Sequence, residues 1–265
     1  MVFCDTHSHL YFEHFFKDID EVIQRCITEN VKYIFLPNVD VETIALLKNL
    51  KAKQPNLFYP MMGLHPCSVD ENYLNTLNLI KHELYTNRHF YCGVGEIGLD
   101  FYWDKTFTQA QYEALNLQID WALELNLPIV LHCRESFDET FEIVQKKHNG
   151  SLRGIFHCFS GSMADAEKVL SLPGFFLGIG GVATYKKSNL PDIISKIPLQ
   201  RILLETDSPY LAPEPYRSSK NKNEKRNESS YIPIIAQTVA QAQNCSLQQV
   251  AQITTANALN LFAVN

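Results

Sequence analysis

The sequence predicts an α/β fold of the (β/α)8 TIM-barrel type, with a single domain over residues 1–265 and extra helices at its C-terminal end. Short runs of β-branched and aromatic residues recur eight times, and stretches with helical periodicity separate them. This alternation implies parallel strands joined by crossover helices, and eight such units close a barrel. The length of 265 residues agrees, because these barrels use roughly 250 residues. An open parallel sheet is the alternative, since the seventh helical pattern is weak.

The elements follow one another in regular order. The predicted strands are Phe3–His9, Lys32–Pro37, Leu57–Leu64, Tyr91–Gly98, Pro128–Cys133, Gly154–Phe159, Gly174–Gly181 and Arg201–Asp207. The predicted helices between them are Asp20–Asn30, Val41–Lys53, Glu71–Tyr85, Thr108–Leu125, Ser136–Lys147, Met163–Leu170 and Leu190–Lys196. Thr108 and Ser136 are the predicted N-caps of their helices. The block Tyr231–Phe262 predicts two or three more helices, and the polar stretch Pro213–Ser230 predicts a long loop after strand eight.

Composition and charge narrow the class of protein. Apolar residues make up 46% of the chain and charged residues 20%, which is ordinary for a globular protein with a sizeable core. The formal net charge of −6 argues against broad electrostatic binding to nucleic acid, although a local basic patch is compatible with it. No apolar run approaches the ~20 residues that span a membrane, and no secretory signal is visible. We therefore expect a cytoplasmic enzyme with no membrane contact and no obligate protein partner.

The seven cysteines do not form a recognisable framework. None belongs to a Cys-x-x-Cys pair, so the spacing supports neither a disulfide scaffold nor a zinc ribbon. Cys133 and Cys158 each directly follow a histidine at the end of a predicted strand. Strand alternation turns such residues to the opposite face, so both are expected to pack in the helix layer.

Polar side chains gather where the predicted strands end. In barrels of this type the carboxyl ends of the strands share one face, which is where function gathers. Five of the nine histidines lie there, together with several carboxylates. The strand-end residues are His7, His9, His65, Glu96, Asp100, His132, Arg134, His157, Glu205 and Asp207. A buried cluster of carboxylates is costly without a cation, and imidazole with carboxylate is a common ligand set for divalent metals.

Six of these residues are the predicted metal ligands: His7, His9, Glu96, His132, His157 and Asp207. Six protein ligands that include a bridging carboxylate suit two divalent ions better than one. His7 and His9 with Asp207 are expected to hold one ion and His132 with His157 the other, while Glu96 bridges. Mg²⁺, Mn²⁺ and Zn²⁺ all remain compatible with this set.

The same motifs resemble those of the TatD family of metal-dependent deoxyribonucleases, within the amidohydrolase-like metallohydrolases. The segments "DTHSHL", "GLHP", "GEIGLDFY", "LHCRES", "FHCFSG" and "ETDSPYL" match that family in order, from residue 4 to beyond residue 211. The resemblance implies a (β/α)8 barrel that cleaves phosphodiester bonds of DNA, with exonuclease action the expected mode, and it implies the same six metal ligands. The loop after strand eight departs from the family pattern. It is about six residues longer and has Ser229 in place of a proline, although Arg226, Asn227 and Glu228 still match.

The expected chemistry is hydrolysis by a metal-activated water. Glu96 and Asp207 are the predicted catalytic residues, Asp207 as general base. The predicted substrate-binding residues are His65, Arg134, Glu205 and Arg226. For Glu205 a second interpretation is a hydrogen-bond acceptor that orients a neighbouring ligand, and Asp5 has the same interpretation relative to His7.

Other features leave the substrate open. Arg217 to Arg226 contains five basic residues, and Tyr102 with Trp103 offers rings on which a base can stack. The same metal centre also suits a small-molecule amidohydrolase or lactonase, which is the alternative function. A non-catalytic DNA-binding module is disfavoured by the net charge and by the complete ligand set.

Overall fold

The computed structural model describes residues 1–221 and 225–264, and within these ranges strands alternate with helices. The strands are β1 (Phe3–Asp5), β2 (Val31–Leu36), β3 (Phe58–Pro60), β4 (Val94–Asp100), β5 (Ile129–Arg134), β6 (Gly154–Phe156), β7 (Phe175–Ile179) and β8 (Ile202–Leu204). The helices are α1 (Ile19–Thr28), α2 (Thr43–Lys53), α3 (Tyr73–Thr86), α4 (Thr108–Leu125), α5 (Phe137–Lys147), α6 (Met163–Ser171), α7 (Leu190–Ile194), α8 (Ile232–Ala242) and α9 (Leu247–Phe262). None of these helices is long and apolar enough to cross a membrane.

The strands form a closed ring rather than an open sheet. Strands β1 to β3 pair in parallel, and so do β4 to β8. Main-chain hydrogen bonds join the two sheets on both sides. The Met62 amide donates to the Gly93 carbonyl between β3 and β4, and the Thr6 amide donates to the Leu204 carbonyl between β1 and β8. The predicted barrel is therefore confirmed, and the open-sheet alternative is wrong.

Side chains fill the interior of the ring in layers, because every second residue of each strand faces inward. One apolar cluster brings together side chains from five strands, from the residue after β3 and from the end of α9: Cys4, Phe35, Met61, Val130, Ile155, Leu203, Ala258, Leu261 and Phe262. Side chains of non-adjacent strands meet in this way only inside a ring. Because strand side chains alternate, the residues two positions beyond Val130, Ile155 and Leu203 also face the interior. Those residues are His132, His157 and Glu205, one layer nearer the carboxyl ends of the strands.

Several predicted boundaries are wrong because strands end early. Strand β1 ends at Asp5, and beyond it only Ser8 makes an isolated bridge to Ser208. The main chain takes a left-handed conformation at Cys158 (φ 48°) and Asp207 (φ 57°), which ends the strand pattern there. The block predicted as two or three helices is two, α8 and α9.

Both predicted N-cap roles need correction. Thr108 is the first residue of α4, with Phe107 at the cap position, and its hydroxyl donates to the Lys105 carbonyl. Ser136 does occupy the cap position of α5, but its hydroxyl donates to the Leu99 carbonyl in β4. It therefore ties α5 to the barrel instead of satisfying the helix end.

Candidate metal centre

Glu96 lies at the centre of a group of imidazole nitrogens, and its two oxygens face different histidines. Oε2 lies 3.0 Å from Nε2 of His7 and 3.5 Å from Nε2 of His9. Oε1 lies 2.9 Å from Nδ1 of His132 and 3.1 Å from Nε2 of His157. One carboxylate oxygen thus faces each of the two predicted ligand pairs, as a bridging carboxylate requires.

Asp207 completes the first of these groups. Its Oδ1 lies 3.8 Å from Nε2 of His7 and 3.6 Å from Nε2 of His9. The Asp207 amide donates to the His7 carbonyl over 2.9 Å, so the left-handed turn after β8 is held against the end of β1. The predicted set of His7, His9 and Asp207 converges within metal-binding distance.

Local irregularity places Glu96 in the centre. The register between β4 and β5 shifts between Val94 and Ile97, which is the mark of a bulge, and bulges re-aim side chains. The Glu96 amide donates to the Asn38 carbonyl at the end of β2 rather than to β5. Glu96 is only 2% exposed, surrounded by histidines that lie just after β1, in β5 and just after β6.

Hydrogen bonds fix the tautomers of three histidines so that a lone pair of each ring faces the centre. The Tyr11 hydroxyl donates to the Pro37 carbonyl over 2.6 Å and therefore accepts from Nδ1–H of His9, 3.0 Å away. Nε2 of His132 lies 2.8 Å from the Asp100 carboxylate, and Nδ1 of His157 lies 3.3 Å from the Glu205 carboxylate. In the neutral form of each ring the proton lies on the outer nitrogen, as in metal sites whose ligand histidines are held by a second hydrogen bond.

This arrangement fits a divalent cation, which would take the place of protons between the rings and the carboxylate. Burial lowers the pKa values of His132 and His157, but interactions with Glu96, Asp100 and Glu205 outweigh it and raise both. A cation held by the same nitrogens and oxygens would release these protons. The distances agree, because ligands on bonds of about 2.1 Å lie roughly 3.0–3.4 Å apart at angles between 90° and tetrahedral. The distances between Glu96, His7 and His9 are 3.0–3.5 Å, with 3.2 Å between Nε2 of His7 and Nε2 of His9.

The charge states of Glu96 and His7 also suit metal ligands. Burial opposes the charged form of Glu96, but the surrounding histidines outweigh it and hold its pKa well below the ordinary value. Burial lowers the pKa of His7 well below its ordinary value, so this ring is neutral and able to act as a ligand. Burial raises the pKa of Asp207 to about 6. The rings of His7 and His157 stack with centroids 3.8 Å apart, which keeps both nitrogens at the centre.

His65 lies in the same cluster but has the opposite tautomer. Its Nδ1 accepts from the Cys67 amide over 3.0 Å, so the proton of the neutral ring lies on Nε2. That Nε2 is 3.3 Å from Oε1 of Glu96. Although His65, Glu96 and His132 approach one another closely enough for a metal site, His65 is placed as a hydrogen-bond donor rather than as a ligand.

Two of the predicted substrate-binding residues lie elsewhere. Glu205 is fully buried beneath His157, where Gly178 makes room for its carboxylate, so it faces the ring of His157 rather than the barrel mouth. Arg226 forms a bidentate pair with Asp18 over 2.6 and 2.7 Å and also donates to the His14 carbonyl. These bonds make Arg226 a structural link between the loop and the start of α1, which corrects the predicted substrate contact.

Arg134 is exposed beside the centre. Its guanidinium lies 3.9 Å above the ring of Tyr102 and 5.3 Å from that of Trp103, and both rings are largely exposed. The Asp100 carboxylate that orients His132 also accepts from the Tyr102 and Trp103 amides. The metal centre and this aromatic platform are therefore built on the same carboxylate.

The supporting residues differ partly from the prediction. Asp5 holds His7 through the main chain, because its carboxylate accepts from the His7 and Thr206 amides and not from the ring. Cys133 packs against the outer apolar core as predicted, and Cys133 and Cys158 both line a cavity of about 460 Å³ beside His157. Cys158 belongs to neither apolar cluster and has a left-handed backbone, which corrects the prediction for this residue.

The end of the long loop is locked beneath the centre. Glu228 binds Arg25 of α1 through two hydrogen bonds of 2.7 Å, and the Asn227 amide group donates to the Thr206 and Tyr210 carbonyls. Ser229, predicted at a family proline position, is buried and donates to Ser8. Of the predicted basic run, Lys222 and Glu224 lie outside the described residues.

Two orienting residues were missed from the sequence. Asp100 was recognised only as a strand-end carboxylate, and its position four residues after Glu96 in the same strand is the signal that places it near the centre. Tyr11 follows His9 by two residues, but nothing in the sequence indicates that its hydroxyl donates to Pro37.

Comparison with known proteins gives a consistent result. A family model described as TatD related DNase matches residues 4–263. The chain is 35% identical over 262 residues to YabD of Bacillus subtilis, an uncharacterized metal-dependent hydrolase, with 98% of this chain and 99% of YabD aligned. It is 28% identical to YcfH of Escherichia coli, which has the same description, over 100% of this chain and 97% of YcfH.

Solved structures extend the comparison to the fold. The crystal structure of the TatD homologue YjjV of Escherichia coli superposes with a TM-score of 0.90 at 28% identity, covering 99% of this chain and 98% of YjjV. The phosphotriesterase homology protein of Escherichia coli, crystallised with phosphate in its active site, superposes with a TM-score of 0.71 at 13% identity and shares the fold. It covers 98% of each chain.

Proposed function

We propose, from the premise that this chain belongs to the TatD-related DNase family of metal-dependent hydrolases, that it cleaves phosphodiester bonds of DNA at the centre around Glu96. The observation that carries the proposal is the division of the Glu96 oxygens between two groups of histidine nitrogens. This division supports a two-ion site, and two-ion sites are typical of phosphodiester hydrolysis. Exonuclease action is the proposed mode.

The convergence of His7, His9 and Asp207 supports the first of two proposed ligand sets. His7, His9 and Asp207 would hold one ion, His132 and His157 the other, and Glu96 would bridge them. When bound, two divalent ions (Mg²⁺, Mn²⁺ or Zn²⁺) would lower the pKa of a water so that it attacks as hydroxide near neutral pH, and would polarise the phosphoryl oxygen. All six proposed ligands offer a nitrogen or an oxygen atom, and such a set is compatible with each of the three metals.

Asp207 is the proposed general base. Burial raises its pKa to about 6 in the metal-free chain, so the carboxylate is ionised at neutral pH and can act as a base. Its Oδ1 faces the histidines, and its side chain keeps 16% exposure, so a water approaching the centre reaches it. As the P–O bond to the sugar breaks, the proton taken from the attacking water passes through solvent to the departing sugar oxygen, which leaves as an alcohol.

His65 and Arg134 are the proposed substrate contacts. Nε2–H of His65 points toward Glu96 at the open edge of the centre, where it can donate to a non-bridging phosphate oxygen. Arg134 offers a guanidinium without a carboxylate partner among the described residues, and guanidinium binds phosphate through two parallel hydrogen bonds. Tyr102 and Trp103 add exposed rings on which a base can stack, worth about 1–3 kcal/mol per base.

The test is metal-dependent cleavage of DNA labelled at the 3′ or the 5′ end. Chelator-treated protein should be inactive, and added Mg²⁺, Mn²⁺ or Zn²⁺ should restore a ladder that starts from one end. Asp207→Asn should keep the fold and lower kcat by about 10²-fold or more, since it removes both a ligand and the base. Turnover of lactones or cyclic amides without turnover of any phosphodiester would instead favour the amidohydrolase alternative.

A further inference from the structure

A basic patch lies on the side of the barrel mouth formed by the loops after β7 and β8. We define the Tyr185 patch as Tyr185, Lys186, Lys187 and Arg217. The two lysines directly follow Tyr185 and are exposed, and Arg217 is exposed with its guanidinium carbon 3.9 Å above the Tyr185 ring. Among the described residues, no carboxylate lies within ion-pair distance of any of the three cations. In a chain of net charge −6, three neighbouring cations without ion pairs form a local exception.

The two loops are docked firmly, so the patch has a defined shape. The Glu214 amide donates to the Thr184 hydroxyl over 2.8 Å, and that hydroxyl donates to the Gly181 carbonyl. A Cβ at Gly181 would lie 2.1 Å from the Leu211 carbonyl oxygen, so only glycine allows this close approach. The Glu214 carboxylate is held by the amide and hydroxyl of Ser218.

The patch lies at the same end of the barrel as the candidate metal centre. Tyr185 follows β7 and Arg217 follows β8, and both strands run parallel to β6, which ends just before His157. The loops that carry the patch and the residues of the centre therefore share the carboxyl end of the strands.

The geometry points to the Tyr185 patch as a second phosphate-binding subsite, which takes the backbone of a nucleic-acid strand next to the phosphate being cleaved. This inference rests on the proposed function and adds a contact outside the metal centre. A guanidinium resting on an aromatic ring is pre-oriented and keeps its donor edges free for phosphate oxygens. The two lysines add charge that tracks the strand without reading its sequence.

The test compares substrates with one phosphate and with many. The variants are Arg217→Ala and the pair Lys186→Ala with Lys187→Ala. The matched control is Lys32→Ala with Lys196→Ala, which removes two exposed cations near the opposite end of the barrel. Each variant is assayed on a short single-stranded oligonucleotide and on bis(p-nitrophenyl) phosphate, whose single phosphate occupies only the metal centre.

We expect each patch variant to raise KM for the oligonucleotide about five- to tenfold with little change in kcat, and to leave turnover of the aryl diester unchanged. The slope of log KM against log salt should fall by about 0.7 for Arg217→Ala and about 1.4 for the lysine pair, because each phosphate contact on a single strand contributes about 0.7. Arg217→Lys should restore the salt slope. The control should behave as wild type on both substrates.

Equal losses on both substrates, or an oligonucleotide KM that matches the control, would overturn the inference. Anisotropy of a labelled oligonucleotide in the presence of chelator measures the same contacts without turnover. If the wild-type protein hydrolyses the aryl diester but not DNA, the proposed function fails. The anisotropy titration then decides the subsite separately. If the patch variants lower the dependence of DNA affinity on salt concentration, the subsite is supported, and if that dependence is unchanged, the subsite is rejected.

Discussion

Replacing Gly178 with alanine tests whether Glu205 orients His157 for metal binding. A Cβ built on Gly178 lies 2.3 Å from Oε2 of Glu205 and 2.7 Å from its carboxyl carbon. Carbon and oxygen pack no closer than about 3.3 Å, so the carboxylate must move by about 1 Å. The bond between Glu205 and Nδ1 of His157 is already 3.3 Å long, and an extension of that size breaks it.

Loss of this hydrogen bond should weaken binding of the proposed ion at His132 and His157 and leave binding of the ion at His7 and His9 unchanged. Loss of such an orienting partner costs about 10–100-fold in metal affinity. Calorimetric titration of chelator-treated protein with Mn²⁺ or Zn²⁺ should therefore show one binding event weakened and the other retained. The melting temperature of the metal-free protein is measured in parallel, because Gly178 lies within β7.

Gly180→Ala is the matched control, since its Cβ would lie 3.5 Å from the Glu205 carbonyl oxygen, an ordinary contact. It should bind both ions as the wild type does. Should Gly178→Ala lower the melting temperature strongly, Glu205→Gln provides the same test without a change of volume. Unaltered metal affinity in both variants would refute the role given to Glu205.

Three further predictions concern the surroundings of the centre. Asp100→Asn removes the carboxylate that holds Nε2 of His132, and we expect activity at limiting metal to fall about 10–100-fold and to recover in part at high metal concentration. Arg226→Ala should lower the free energy of unfolding by about 1 kcal/mol, measured by urea denaturation. It should leave kcat and KM unchanged, because the guanidinium is bonded to Asp18. A large rise in KM would restore the predicted substrate role of Arg226. Arg226 holds the pKa of Asp18 below its ordinary value, so this stabilisation is present above about pH 4 and is lost as the pH falls through the lower folded-state pKa. The stability difference between wild type and Arg226→Ala should therefore shrink below about pH 4, and a constant difference would contradict the ion pair.

Much of the barrel follows from local pattern alone. Eight apolar runs separated by helical periodicity predict eight parallel strands, because each period is a property of neighbouring residues. The same period places His132 and His157 in one interior layer, two positions beyond Val130 and Ile155. Strand β1 departs from it, since the ladder ends at Asp5 and a bend, rather than alternation, brings His7 and His9 to the centre.

The sequence by itself determined the alternation of strands and helices and the collection of imidazoles and carboxylates at one end of the barrel, because both depend on spacing along the chain. Only the tertiary structure decided which role each residue takes. Arg226 is paired with Asp18, 208 positions away in the chain, and Glu205 is buried beneath His157. Tautomers depend on partners that a fold brings together, and for that reason His65 is a donor while His157, with the same side chain, is a candidate ligand.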